Sequence, residues 1–247
     1  MSSPSAPAHL ARGKSAESTD LLIVRRHRLV THLAPPRGDV LLDFGCGTGT
    51  QTLLFAPHFR KTLAVDIDEG SLGTLAQSAR AAGLSDRVVP LHYDGTSIPI
   101  ESRSVDYAIS FEVLEHVDDE AKALSELLRV LRPGGMLAMS VPNRWWIFET
   151  HGAALPLLKW NRVPFFSWLP RPLHDRWARA RIYSRREIVA RLGKAGFTVE
   201  HSLYITAPMD VIRNPGVQRL LRAAVFRGDR TRIPFLSTAV LVICRRS

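Results

Sequence analysis

Residues 40–49, Val40-Leu41-Leu42-Asp43-Phe44-Gly45-Cys46-Gly47-Thr48-Gly49, constrain this chain more than any other stretch. Apolar residues around one acid predict a buried strand, which then turns through three glycines. The next residues, Thr50-Gln51-Thr52-Leu53-Leu54-Phe55, suit the start of a helix. Glycine adopts positive φ at little cost and puts no Cβ between the backbone and a ligand. A strand, a glycine turn and a helix in that order predict a nucleotide-like ligand at the carboxyl end of the first strand of an open α/β sheet.

Spacing narrows the ligand. The dinucleotide fingerprint is G-x-G-x-x-G, whereas the glycines here are 45, 47 and 49 and position 50 is Thr. Two further strand-like segments end in acids: Lys61-Thr62-Leu63-Ala64-Val65-Asp66 and Val88-Val89-Pro90-Leu91-His92-Tyr93-Asp94-Gly95. A carboxylate such as Asp66 can accept both hydroxyls of a ribose, as in the related dinucleotide folds. The pattern Asp43-x-Gly45-x-Gly47-x-Gly49 resembles motif I of the class I S-adenosylmethionine (SAM)-dependent methyltransferases. That resemblance implies SAM as the cofactor, with Asp43 toward its amino-acid end and Asp94 near the adenine amino group; the plainer reading is that Asp66 and Asp94 only start loops or cap helices. It also implies a cofactor site that includes Gly45, Cys46, Gly47, Gly49, Ile67, Gly95, Ser110 and Phe111.

The 247 residues suit one α/β domain with decoration. The start is rich in Ser, Pro and Ala, so residues 1–16 are expected to be a disordered tail and 17–247 a single domain. A helix is predicted over 17–34, ended by Pro35-Pro36. Strands follow at 40–44, 61–66, 87–92, 104–110 and 136–141. Helices are expected after 49 and over 69–82 and 118–131, the last with Leu124, Leu127, Leu128 and Leu131 at helical spacing. Such alternation implies a parallel sheet. Leu131-Arg132-Pro133-Gly134-Gly135 followed by an apolar strand is similar to the region after the motifs of the same family. The likeness covers residues 38–142 and resumes at 184–206. The expected fold is therefore a Rossmann-like, seven-stranded, mostly parallel sheet with helices on both faces. Its last strand, 238–244, is expected to be antiparallel, and residues 143–182 form an aromatic, basic lid insert.

That insert holds all five tryptophans (145, 146, 160, 168 and 177), with seven Lys or Arg against two acids. It suits a lid with its own small core, the wall of a pocket for an apolar or aromatic acceptor, or a surface resting on anionic lipid. Val217, Leu220, Leu221, Ala224 and Val225 share a second apolar helical face flanked by Arg213, Arg219, Arg222 and Arg227. It reads either as an ordinary packed helix or as a second lipid-facing element. The net charge of +10 favours an anionic partner, or reflects an arginine-rich composition.

Methyl transfer to a hydroxyl needs acceptor and donor in line, and a base for the departing proton. Ser110-Phe111-Glu112-Val113-Leu114-Glu115-His116-Val117 follows the fourth strand and places His116 where an acceptor would lie. His116 is the first candidate base, against a capping or packing role. His151 in the lid is a second candidate, and His174 is read as structural. The string is also similar to that of the ubiquinone-biosynthesis O-methyltransferases, whose Glu-x-x-Glu-His arrangement can hold a divalent metal. Glu112, Glu115 and His116 match that spacing, but the insert does not resemble that family, and no metal is expected. The Pro-Pro-aromatic motif of base-amino methyltransferases is absent at Ser110-Phe111-Glu112, and neither Cys46 nor Cys244 lies at that strand end. Nucleic acid is thus disfavoured, and an RNA-modifying enzyme is the alternative to a small-molecule or lipid-linked acceptor. Two cysteines, no transmembrane-length apolar run and no signal-peptide pattern suggest a cytoplasmic setting, with peripheral contact at the inner membrane face as its variant.

Overall fold

The computed structural model describes residues 20–148, 164–212 and 214–247. The expected tail at 1–16, and His151 and Trp160 of the lid, lie outside them.

Eight strands form one sheet in the order β3-β2-β1-β4-β5-β8-β6-β7. They are β1 Val40–Phe44, β2 Lys61–Asp66, β3 Val88–His92, β4 Val105–Phe111, β5 Leu131–Pro142, β6 Phe197–Thr206, β7 Arg230–Thr231 and β8 Ser237–Arg246. Strands β3, β2, β1, β4 and β5 are parallel, while β8 runs antiparallel to both β5 and β6. The eighth strand, beyond the seven expected, is the two-residue β7 on the edge of β6. Pro133-Gly134-Gly135 sits inside β5 as a bulge, because pairing with β4 jumps from Val105↔Leu131 to Tyr107↔Met136.

Side chains alternate between the two faces of a strand, and this sorts neighbouring residues into two cores. Leu42, Leu137, Met139, Val240 and Val242 pack with Leu124 and Leu127 of α4 (Glu120–Val130) and Ile188 and Leu192 of α6 (Arg185–Lys194). Leu41, Tyr107, Ile109, Ala138 and Leu241 face the other way. They meet Leu29 and Val30 of α1 (Leu21–Leu33) and Phe55 of α2 (Thr50–Phe55). The remaining helices are α3 (Glu69–Ala81), α5 (Arg171–Trp177) and α7 (Pro215–Ala224).

The inward face of α1 is not purely apolar. Arg25 and Arg26 are buried with Ile23, Leu29 and Val30, while Val24 is half-buried. Arg25 donates from Nη1 to the carbonyls of Thr206 and Ala207 and from Nη2 to that of Phe226, each at 2.8 Å. A cation can be buried there because carbonyls at the end of β6 replace its water.

Candidate functional site

Register aligns the carboxyl ends of β1, β2 and β4, since Asp43 pairs with both Ala64 and Ile109. The sheet order reverses between β1 and β4, where open α/β sheets leave a crevice. A cavity of about 670 Å³ opens there. Asp43, Gly45, Cys46, Gly47, Asp66, Ile67, Gly95, Phe111 and His116 line it, whereas Gly49, Asp94 and Ser110 do not.

The three glycines do different work. A Cβ on Gly45 would strike the side chain of Val113, while one on Gly47 (φ +51°) meets no atom within 4 Å. Only Gly47 therefore leaves open space at the turn. Gly49 (φ +89°) faces away, where a Cβ would lie 2.1 Å from Leu75 Cδ1. Its role is to let the start of α2 close on α3.

Asp66 spends hydrogen-bonding capacity on the backbone: Oδ2 accepts from Gly47 N–H at 2.8 Å and Oδ1 from Asp68 N–H at 2.9 Å. It ties the glycine turn to the end of β2 and keeps lone pairs to spare. Asp43 is buried and accepts from Thr52 Oγ1 at 2.7 Å. Burial pushes its pKa up to about 7, against the opposing Thr52 hydrogen bond. Asp94 is exposed and caps the loop that follows, accepting from Thr96 N–H and Oγ1, both at 2.7 Å, and from Ser97 N–H at 3.1 Å. Those hydrogen bonds, led by the Thr96 hydroxyl, hold its pKa down. Ser110 is buried in β4, and burial pushes the Cys46 thiol pKa up.

Beyond the end of β4 the wall changes character. Glu112 takes a left-handed backbone (φ +58°). Its Oε1 accepts from Arg26 Nη2 and Ser140 Oγ, both at 2.9 Å. The Arg26 guanidinium lies 5.0 Å from the Phe111 ring centre, and its Nε is buried without a hydrogen-bond partner. Glu115 is fully buried, and burial, then Glu112, raises its pKa well above the carboxylate range. Glu112 is thus committed to Arg26 and Ser140. Among the described residues no group of three His, Cys, Asp or Glu is placed to hold a metal ion. His116 is half-buried on a short 3₁₀ turn, Leu114–His116, and lines the cavity.

Of the described lid residues, Trp146 and Phe148 reach the cavity. Phe166 and Ala178, with Leu169 and Trp177, build a separate small core. His174 is buried there, 5.2 Å from the Phe166 ring centre and with Nδ1 2.9 Å from Asp175 Oδ1. Further parts of the wall come from α1, through Leu22, Ile23 and Arg26, from the loop after β6, through Pro208, Met209 and Val211, from the start of α4, through Lys122 and Ala123, and from β8, through Thr238 and Ala239. None of these was among the site residues expected from the sequence. Arg26 was detectable in principle, because it shares the helical stripe of Ile23, Leu29 and Val30. The 208–211 loop carries no such periodic signal.

Residues 42–139 match the family described as a methyltransferase domain. A protein of Mycolicibacterium smegmatis, named a probable S-adenosylmethionine-dependent methyltransferase, is 33% identical over 181 residues. That match covers 72% of this chain and 60% of the relative. The chain carries a class I SAM-dependent methyltransferase domain. A demethylmenaquinone methyltransferase of Clavibacter sepedonicus is 40% identical over 108 residues, 43% of this chain and 42% of that protein. The chain thus spans between two fifths and three fifths of the length of these methyltransferase relatives. The crystal structure of a SAM-dependent methyltransferase from Mesorhizobium loti superposes with a TM-score of 0.63 at 20% identity, over 90% of this chain and 98% of that one. At that identity the methyltransferase fold is what the two share.

Proposed function

We propose that the protein transfers a methyl group from SAM to an oxygen of a small apolar, aromatic or lipid-linked acceptor, with His116 as the general base. The observation that carries this reading is the continuity of the cavity. The Gly45–Gly47 turn, Asp66, His116 and the apolar group Trp146, Phe148 and Met209 all line it. The first end suits a cationic nucleoside. Gly47 leaves open backbone, Asp66 keeps acceptor capacity for ribose hydroxyls, and the buried Asp43 gains a counter-charge from an ammonium group. SAM, when bound, supplies an activated methyl carbon. The protein's part is to hold the acceptor in line and to take its proton on the His116 imidazole. Arg26 and Glu112 present a fixed polar pair beside that histidine, on which an acceptor oxygen can be oriented.

The RNA alternative draws on the net charge of +10. The cavity opposes it, because eight described lining residues are Asp or Glu and two, Arg26 and Lys122, are cationic. An acidic cavity repels a phosphate backbone and attracts a cationic cofactor. The test is to incubate methyl-labelled SAM with the protein and a lysate of the source cells, then separate lipid, small-molecule, RNA and protein fractions. Label in the lipid or small-molecule fraction is the expected result, and label confined to RNA overturns the reading.

A further inference from the structure

The large exposed apolar residues are not scattered. Ile67 lies at the cavity, and the other nine fall between 145 and 235 and do not line it. Four of them make one aromatic surface. Trp145 and Trp168 lie 6.1 and 5.4 Å from the Phe235 ring centre, and Phe165 lies 5.0 Å from Trp168. All four remain exposed, Phe165 by 53%. The second group is on α7, which has no buried residue, with Val217 46%, Leu220 68% and Val225 just past its end 49% exposed. Apart from the half-buried Leu221, the large apolar side chains of this ten-residue helix face water and gain nothing from burial in the folded monomer.

The same small core roots both groups. Trp146, Met209 and Phe226 pack with Phe148, Val211, Leu221 and Leu236, and four of these seven also line the cavity. Arg219, Arg227, Arg230 and Arg232 are exposed in the same stretch and have no carboxylate partner among the described residues. Exposed tryptophans and leucines rimmed by unpaired arginines match the interface of an anionic bilayer, with rings at headgroup depth and guanidinium groups on phosphates. The cavity interior, by contrast, is acidic.

We infer that the surface formed by α7 and by Trp145, Phe165, Trp168 and Phe235 docks the protein onto an anionic lipid surface, with the cavity mouth beside the bilayer. Acceptors that partition into lipid would then reach the apolar end of the cavity without crossing water.

The test uses the whole chain, without SAM or acceptor, so its outcome is independent of the methyl-transfer reading. Co-sedimentation is measured with vesicles of phosphatidylcholine alone and of phosphatidylcholine with phosphatidylglycerol. Partition onto the anionic vesicles should be at least about ten-fold stronger and should weaken as salt is raised. V217S/L220S and W168S/F235S should each reduce it about ten-fold or more, and R219Q/R227Q/R232Q should remove the preference for phosphatidylglycerol. An unchanged melting temperature shows that each variant is folded. Equal partition onto both vesicles, no partition, or partition indifferent to all three variants overturns the proposal. A dimer that dissociates in V217S/L220S, with no vesicle binding, assigns the surface to a second copy and overturns it too.

Discussion

The two ends of the cavity follow opposite rules. At the β1–β2 end, acids and glycines sit on strand ends and helix starts, and their backbone and side-chain groups hold one another, as Asp66 holds Gly47 and Asp68. At the other end, Trp146, Phe148, Met209 and Val211 lie outside the regular strands and helices and hold one another by apolar packing. The first end is built to hold one cationic ligand in a defined pose. The second is built to tolerate varied apolar contacts. A scaffold that binds one cofactor and many acceptors needs this division, because fold alone does not choose the acceptor.

The junction between the ends offers the sharpest way to break the comparison. His116→Ala should lower turnover by about 10²–10⁴-fold while SAM affinity measured by calorimetry stays unchanged. If turnover is unaltered, the histidine belongs to the packing of the 3₁₀ turn and not to the chemistry. Next, Asp66→Ala should weaken SAM binding by roughly two orders of magnitude and also cost about 1–3 kcal/mol of stability, because Gly47 N–H loses its acceptor. Chemical denaturation separates the two effects. A variant that loses affinity at full stability would mean that Asp66 serves the ligand alone.

The glycine pair divides the cofactor end itself. Gly49→Ala should cost about 1–3 kcal/mol, since the new Cβ collides with the buried Leu75 in a left-handed backbone. Gly47→Ala should leave the melting temperature nearer that of the parent and weaken SAM binding instead, because its Cβ projects into open space. The smallest effect concerns pH. Asp43 has a folded pKa of about 7, above its unfolded value, so the folded protein holds an extra proton between those values. Stability from this group falls as pH rises toward 7, while affinity for a ligand that needs the carboxylate charged rises. SAM affinity should increase about ten-fold between about pH 6 and pH 8 and should be flat in Asp43→Asn. A flat profile in the parent would show that Asp43 is already ionised by some other contact.

The sheet was legible because its residues obey short-range periodicities. Leu41 and Leu42 go to opposite cores by alternation, and Glu120–Val130 turns Leu124 and Leu127 inward by helical spacing. The glycine turn was legible for the same local reason, since backbone sterics make it readable from its own residues. Its division of labour was not. Gly45, Gly47 and Gly49 look equivalent until Val113 and Leu75 arrive from elsewhere in the chain. Asp94 shows the limit from the other side: a strand-terminal acid open to two readings by sequence, it caps its own loop and does not line the cavity, which only the folded chain decides.

Composition disclosed that residues 143–182 differ from the rest of the domain, but not that Trp146 and Phe148 would enter the cavity while Trp168 stays on the surface. Nor did it disclose that α1 and the 208–211 loop join the wall, or that Arg26 lies 2.9 Å from Glu112, 86 residues away. The sequence by itself determined the strands, the helices and the cofactor turn, because each depends on residues within a turn or two of one another. The tertiary structure alone decided the apolar wall of the cavity and the exposed aromatic surface, because burial and charge pairing depend on distance in space.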